Sequence, residues 1–237
     1  MKVFVTGGSG GIGGAIVRSL GKDNDVHFTF RQGKDRAQKL QKETSARILL
    51  MDSSLESSVA EAAAYIKKEQ FDSLVLTAAS PYPRTELLEL DVADALKYIH
   101  ENLKCNFILG QTFLKSLVER QVPGSMVIIL SSYTLSLPPA QLMPYVTLKT
   151  GMLGFARSAA VEMVRENIRV NCVSPSMTRS NFISDLEDRF IEIMEAGLPM
   201  HRLAEADEIA GIVKFLLSPE ASYITGVNIP VAGGQAC

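Results

Sequence analysis

A strand-like run, Val3 to Thr6, breaks without a linker into Gly7-Gly8-Ser9-Gly10-Gly11-Ile12-Gly13, and a stretch of helical period opens inside that cluster. A strand that turns through glycine straight into a helix is how a βαβ unit starts, and it commits the next strand to lie parallel to the first. The rest of the chain repeats the alternation. Val3 to Thr6, Val26 to Phe30, Arg47 to Met51, Ser73 to Thr77, Met126 to Leu130, Arg169 to Val173 and Val227 to Val231 read as strands, several of them apolar on consecutive positions, as strands covered on both faces must be. Helical windows fall near Gly11 to Leu20, Arg36 to Glu43, Leu55 to Lys68, Val92 to Glu119, Tyr145 to Arg165 and Glu205 to Leu217. The expected architecture is α/β: a doubly wound, seven-stranded parallel sheet with helices on both faces. At 237 residues the chain is read as one domain, 1–237. The stretch from Asn181 to Leu198 is longer than a connection requires and carries Phe182, Ile183, Leu186, Phe190, Ile191 and Met194, so a helical lid is expected near 177–200.

Composition narrows the chemistry. Twenty-four basic residues against 26 acids, a net charge of -2, leave no broad positive footprint for nucleic acid, and no apolar run is long enough for a membrane span. Three cysteines at wide spacing, Cys105, Cys172 and Cys237, and three scattered histidines, His27, His100 and His201, suggest neither disulfides nor a metal site. The start, Met1-Lys2 and then a strand, lacks the apolar segment of a secretory signal, so a cytoplasmic location is expected.

A glycine cluster between strand and helix is suited to phosphate: glycine permits the tight turn and close backbone approach, and the free N–H groups and positive dipole end of the helix favour an anion. A dinucleotide follows, the alternative being a flexible turn with no ligand. Gly8, Gly10 and Gly13 fit the spacing G-x-G-x-x-G, whereas Gly7, Gly11 and Gly13, preceded by Thr6, fit T-G-x-x-x-G-x-G. About 20 residues on, an acid ending strand two grips the ribose of NAD and an arginine accommodates the 2′-phosphate of NADP. Here Phe30 is followed by Arg31, then Gln32, Gly33 and Lys34, which favours NADP over NAD, although Arg31 could also be a solvated surface charge. Asp52, with Ser53 after strand three, is placed to meet the adenine; its other reading is a helix cap.

Tyr145 and Lys149 stand at i and i+4 on the helix that begins near Pro144, hence on one face. Alone this is a common amphipathic pair. Ser131 and Ser132, however, lie directly after strand five, at a carboxyl end where doubly wound sheets place their sites, and Ser132 precedes Tyr145 by thirteen positions.

With these residues in order, the chain resembles the short-chain dehydrogenase/reductase family in its single-domain form, from Lys2 to Gly234. The family's T-G-x-x-x-G-x-G is matched at Thr6 to Gly13, its helix asparagine at Asn102, its serine at Ser132 and its Y-x-x-x-K at Tyr145 and Lys149; Ile168 to Asn171 with Pro175, and Tyr223 to Gly226 through Gly233-Gly234, are similar to its closing segments. Later motifs thus select the second glycine register. Two segments depart: Thr77-Ala78-Ala79-Ser80 stands where the family has N-N-A-G, and Pro175-Ser176 where it has P-G.

The resemblance implies a Rossmann fold and a catalytic set of Asn102, Ser132, Tyr145 and Lys149. It implies cofactor contacts from Gly7, Ser9, Gly11, Ile12, Gly13, Arg31, Asp52, Ser53, Ala78, Tyr145, Lys149, Pro175, Met177 and Thr178. Moving hydride to a carbonyl leaves an alkoxide that needs a proton, and Tyr145 is the natural donor. A lysine charge ~4 Å away at an effective dielectric of ~20 is worth ~4 kcal/mol, so Lys149 is expected to lower the phenol's pKa, with desolvation opposing it. Ser132 would hold the substrate oxygen, and Asn102 would hold a water linking Lys149 to solvent, or else be a helix amide bonded to backbone. Leu135, Leu137, Pro138, Pro139, Leu142, Met143 and the lid are expected to give an apolar pocket for a ketone or acyl substrate, as in 3-oxoacyl-carrier-protein reductases, or else to pack on the lid or a neighbouring subunit. Similar proteins pair through the long helices at Val92 and Tyr145, so a homotetramer is expected. A non-catalytic dinucleotide-binding regulator is the rival reading. A sugar-nucleotide epimerase would need a substrate domain this chain has no residues to build.

Overall fold

The computed structural model describes residues 1–77, 79–80, 83–179 and 188–235. Seven parallel strands form its central sheet: β1 (Lys2–Val5), β2 (Asp25–Phe30), β3 (Arg47–Leu50), β4 (Ser73–Leu76), β5 (Gly124–Ile129), β6 (Ile168–Pro175) and, last in the chain, β9 (Asn228–Val231). Their spatial order is β3-β2-β1-β4-β5-β6-β9. The chain works outward from β1 to β3, then restarts on the other side of β1 with β4. That reversal opens a crevice between β1 and β4 at the carboxyl edge, where open α/β sheets bind ligands. Helices α1 (Gly11–Gly21), α2 (Lys34–Thr44), α3 (Glu56–Glu69), α4 (Val92–Arg120), α5 (Met143–Met163) and α7 (Ala206–Leu217) supply the crossovers.

Two buried clusters, one on each face of the sheet, hold the layers together. On one, Phe4, Leu74, Met126 and Ile128 meet Leu109, Phe113 and Leu117 of α4 and Met152 and Ala156 of α5. On the other, Val3, Val5, Phe28 and Val127 meet Ile16 and Leu20 of α1 and Ile209 and Val213 of α7. Each such side chain contributes on the order of 1.5–3 kcal/mol on full burial.

The expected strands and helices all form, with bounds shifted by a few residues. The one pairing that the periodicity does not reveal is a two-stranded ladder, β7 (Thr178–Arg179) with β8 (Ala204–Glu205). It closes the base of the segment expected to act as a lid. Within that segment α6 (Asp188–Ala196) is helical, and 180–187 lie outside the described residues.

His27 sits in β2, 1% exposed, with Nδ1 2.8 Å from the Tyr65 hydroxyl, Nε2 3.2 Å from Asp25 Oδ1 and its ring edge-on to Phe71. Burial lowers its pKa below 6.5, and the opposing pull of Asp25 is smaller. The unfolded chain therefore takes up this proton first as pH falls, and the stability His27 allows at neutral pH drains away below about 6.5. His27→Gln is expected to flatten the fall in melting temperature between neutral and mildly acidic pH; an unchanged slope in a thermal-melt series would contradict this.

Candidate active site

Because the sheet is parallel, every strand's carboxyl end lies at one edge, and the residues singled out above gather there. Gly7 and Ser9 lie in the turn between β1 and α1, and Gly11, Ile12 and Gly13 form the first turn of α1; Arg31 follows β2; Asp52 and Ser53 follow β3; Ser131 and Ser132 follow β5; and Pro175, Met177 and Thr178 close β6 and open β7. Ala78 lies outside the described residues, as does Cys237.

The β1–α1 turn is built tightly. Gly7 has φ 67°, a left-handed conformation, and a Cβ on Gly13 would lie 2.3 Å from the Gly7 carbonyl oxygen. The Gly7 N–H donates to Thr29 Oγ1 at 2.9 Å and the Gly8 N–H to the Thr29 carbonyl at 2.9 Å, tying the turn to β2. Helix α1 starts with Gly10 as its N-cap and no side-chain cap, so its first N–H groups face the crevice. This cradle fits a pyrophosphate.

Arg31 Nη1 donates to Ser80 Oγ at 3.2 Å and lies 4.0 Å from Asp52 Oδ1. Ser80 thus uses its departure from the family's glycine: its hydroxyl meets Arg31 and its N–H donates to Asn102 Oδ1 at 3.0 Å. Thr77, another departure, donates its N–H to Thr6 Oγ1 (3.0 Å) and its hydroxyl, in a short bond, to the Thr6 carbonyl, locking the ends of β1 and β4 together. Asp52 accepts from the N–H and hydroxyl of Ser54 at 2.9 and 2.7 Å, and the first of these does most to hold its carboxyl below the ordinary range. These bonds close a local turn before α3 and do not cap it, since the N-cap of α3 is Leu55 and no side chain caps the helix. Beyond Arg31, the Arg36 guanidinium folds across Gly33, the residue with φ 73° that precedes α2. Spacing from the glycine loop gives no hint of Arg36.

Tyr145 and Lys149 share one face of α5, with Lys149 Nζ 5.7 Å from the centre of the phenol ring. The ammonium is buried and donates to the Ile129 carbonyl at 2.8 Å; burial brings its pKa down to about 8. The anticipated lowering of Tyr145 does not appear. Burial pushes the phenol above 10, and a hydrogen bond with Ser131 only partly offsets this, while Lys149 spends a hydrogen bond on the Ile129 carbonyl. Of the two serines, then, Ser131 touches Tyr145. Ser132 is 1% exposed at the start of a single helical turn, Ser132–Thr134, and its carbonyl accepts from Leu135 and Ser136. Tyr133, inside that turn, was not foreseen; burial raises its pKa too, with Arg84 opposing.

Asn102 is 2% exposed in α4 and its amide is engaged by backbone: Nδ2 donates to the Tyr98 carbonyl at 2.8 Å and Oδ1 accepts from Ser80. Its carbonyl accepts from Asn106 Nδ2 at 2.8 Å. Asn106 stands four positions on from Asn102, one turn along α4.

A cavity of about 190 Å³ opens beside this group, lined by Tyr133, Met177, Ile193, Leu198, Leu203 and Gln235. The apolar residues expected from the 135–143 loop do not line it. Leu137 is 94% exposed, because the loop turns outward to pair with the segment after β4, through Thr85 N–H to the Gln141 carbonyl and Gln141 Nε2 to Glu86. Apart from Tyr133, its walls come from the chain after β6.

A switch-point crevice with a glycine cradle on one side and a buried Tyr–Ser–Lys group on the other defines a dinucleotide-dependent oxidoreductase. Comparison with known proteins agrees. Residues 7–236 match the family described as enoyl-(acyl carrier protein) reductase. The pig dehydrogenase/reductase SDR family member 4 is 32% identical over 249 residues, covering 98% of this chain and 86% of its own. The 3-oxoacyl-[acyl-carrier-protein] reductase FabG of Rickettsia conorii is 30% identical over 232 residues, covering 98% and 95%. A solved short chain dehydrogenase/reductase family protein superposes with a TM-score of 0.88 at 32% identity, over 99% of this chain and 96% of that one. The chain belongs to the short-chain dehydrogenase/reductase family and is a short-chain oxidoreductase. Among the described residues, no helix is long and apolar enough to cross a membrane and no group of three or more His, Cys, Asp or Glu is placed to hold a metal ion.

Proposed function

We propose that this protein is an NADP(H)-dependent ketoreductase that interconverts a carbonyl and a secondary alcohol, with Tyr145 as the acid/base and an apolar or acyl substrate. The observation that carries the reading is the Tyr145–Ser131 contact backed by buried Lys149 at the end of β5, beside a largely apolar cavity. When bound, the dinucleotide supplies the hydride. Gly7, Ser9, Gly11, Ile12 and Gly13 would hold its pyrophosphate, Asp52, Ser53 and Ala78 the adenosine side, and Lys149, Pro175, Met177 and Thr178 the nicotinamide side. A raised pKa keeps the Tyr145 phenol protonated at neutral pH, the state that reduction of a carbonyl consumes. The substrate oxygen would sit between the Tyr145 hydroxyl and the serines, with Ser131 favoured by contact and Ser132 by spacing. After Tyr145 gives its proton to the alkoxide, Lys149 at about 8 is matched to replace it. Likeness to a 3-oxoacyl-[acyl-carrier-protein] reductase supports a β-ketoacyl thioester as the first substrate to try. The segment 177–200 serves as the lid, and a cytoplasmic homotetramer is the working assembly.

Arg31, Lys34 and Arg36 surround the start of α2, where a 2′-phosphate would lie. Arg31→Ala is expected to weaken NADPH about tenfold or more, the loss of a charge-assisted hydrogen bond of ~1.5–3 kcal/mol, and to leave NADH nearly unchanged. Fluorescence titration with both cofactors checks this; equal losses would refute the assignment of Arg31. Turnover is tested by following NADPH absorbance with β-ketoacyl thioesters, cyclic ketones, steroids and quinones.

A further inference from the structure

Ser80 joins two parts of the site that the chain order separates. Arg31 follows β2 and Ser80 follows β4, with the end of β1 between them in the sheet. The Arg31 side chain is 35% exposed, and its contacts with Ser80 Oγ at 3.2 Å and Asp52 Oδ1 at 4.0 Å both fall on Nη1. Among the described residues, no hydrogen bond or ion pair engages its Nε or Nη2. Those two nitrogens make one edge of the guanidinium, and such an edge offers the paired N–H groups that a phosphate accepts. The serine is itself fixed from behind. Its N–H donates to Asn102 Oδ1 at 3.0 Å, and Asn102, 2% exposed, donates through Nδ2 to the Tyr98 carbonyl at 2.8 Å within α4. An arginine on the rim of the crevice is thereby tied to a buried helix. A glycine at this position, as the family has it, would keep the N–H and lose the hydroxyl that makes the tie.

We propose that Ser80 is a specificity-determining residue for the 2′-phosphate of NADP(H), acting by positioning Arg31; the proposal rests on the reading of the cofactor as NADP(H). The hydroxyl holds Nη1 and leaves the edge formed by Nε and Nη2 to the phosphate. A loose arginine gives up many rotamers when it closes on an anion, and one already held gives up fewer. Without the hydroxyl, the remaining contact of Nη1 is the Asp52 carboxylate, and a guanidinium drawn onto that carboxylate has to be won back by the phosphate. NADH carries a ribose hydroxyl in place of the phosphate, so its binding does not draw on Arg31 in this way. Ser80 is a positioning residue: it acts through Arg31.

The test is a set of titrations on the full chain, with NADPH and NADH by fluorescence and with adenosine 2′,5′-bisphosphate and AMP by calorimetry. The proteins are wild type, Ser80→Ala, Ser80→Thr, Arg31→Ala and the double variant Arg31→Ala with Ser80→Ala. Ser80→Ala removes the hydroxyl and keeps the backbone N–H that Asn102 accepts. It is expected to raise the Kd of NADPH and of the bisphosphate about fivefold and to leave NADH and AMP unchanged. Ser80→Thr, which keeps a hydroxyl, is expected to stay near wild type. Once Arg31 is alanine, Ser80→Ala is expected to cost nothing further, because no guanidinium is left to position. Unchanged NADPH affinity in Ser80→Ala would overturn the proposal. So would equal losses for NADPH and NADH, which mark a structural effect on the crevice, a threonine variant no better than alanine, or full additivity in the double variant. The cofactor reading fails separately: a wild type that binds NADH as tightly as NADPH removes that reading and the purpose of Ser80 with it. A preference for NADPH that Arg31→Ala abolishes and Ser80→Ala leaves intact sinks the role of the serine alone.

Discussion

Tyr145→Phe is expected to lower kcat by ~10²–10⁴ while NADPH affinity stays within error of wild type. The substitution deletes one hydroxyl from a buried ring and leaves its packing in place, so a stability change cannot stand in for the loss. The hydroxyl it deletes is the one that Ser131 contacts and that burial keeps protonated. In the wild type, reduction is further expected to slow as pH rises through about 8, where Lys149 gives up its charge and the phenolate is no longer recharged from behind. That alkaline limb disappears in Tyr145→Phe if the residual rate no longer draws on this proton. Steady-state kinetics over pH for both proteins reads both effects; a variant with near-normal kcat would dismiss Tyr145 as the acid.

Gly13→Ala is expected to weaken NADPH binding about a hundredfold, ~2.8 kcal/mol, and to cost about 1–3 kcal/mol of stability. The new methyl would stand 2.3 Å from the Gly7 oxygen, 2.9 Å from its carbonyl carbon and 3.0 Å from Gly8 Cα. All three are backbone atoms. No side chain can rotate away, so the whole turn must move, and with it the N–H groups aimed at the pyrophosphate. Gly7 cannot yield easily either, since its N–H is fixed to Thr29 and its φ is positive. Calorimetric titration and thermal melting measure the two losses; wild-type affinity with an alanine at 13 would mean the turn does not hold the cofactor.

The sheet was legible because its strands are buried on both faces and read as continuous apolar runs, and because each glycine or polar break falls where a parallel strand must end. The short β7–β8 ladder was not: two residues on each side carry no periodicity, and their pairing is made by the chain's return after α6. In the site, Tyr145, Lys149 and the glycines declared themselves through spacing, which reports which residues share a face. Spacing does not report what a side chain does with its hydrogen bonds. It singled out Ser132 for the substrate oxygen and gave no sign that its neighbour Ser131 bonds the phenol. It anticipated a lysine that lowers the tyrosine, whereas burial raises the phenol and Nζ bonds the Ile129 carbonyl. The lining of the described cavity was hidden for a different reason. The 135–143 loop is apolar, but its direction is set by Gln141 bonding to Thr85 and Glu86, a partner segment remote in sequence.

The central claim is that this chain reduces a ketone at the expense of NADPH. The direct measurement is the stoichiometry of wild-type turnover: NADPH absorbance followed with each ketone of the panel, and the alcohol quantified at the end. The account predicts at least one ketone, most of all a β-ketoacyl thioester, for which alcohol formed equals NADPH consumed, faster with NADPH than with NADH. Tight NADPH binding with no alcohol formed from any of them would contradict it and make the protein a dinucleotide-binding regulator instead.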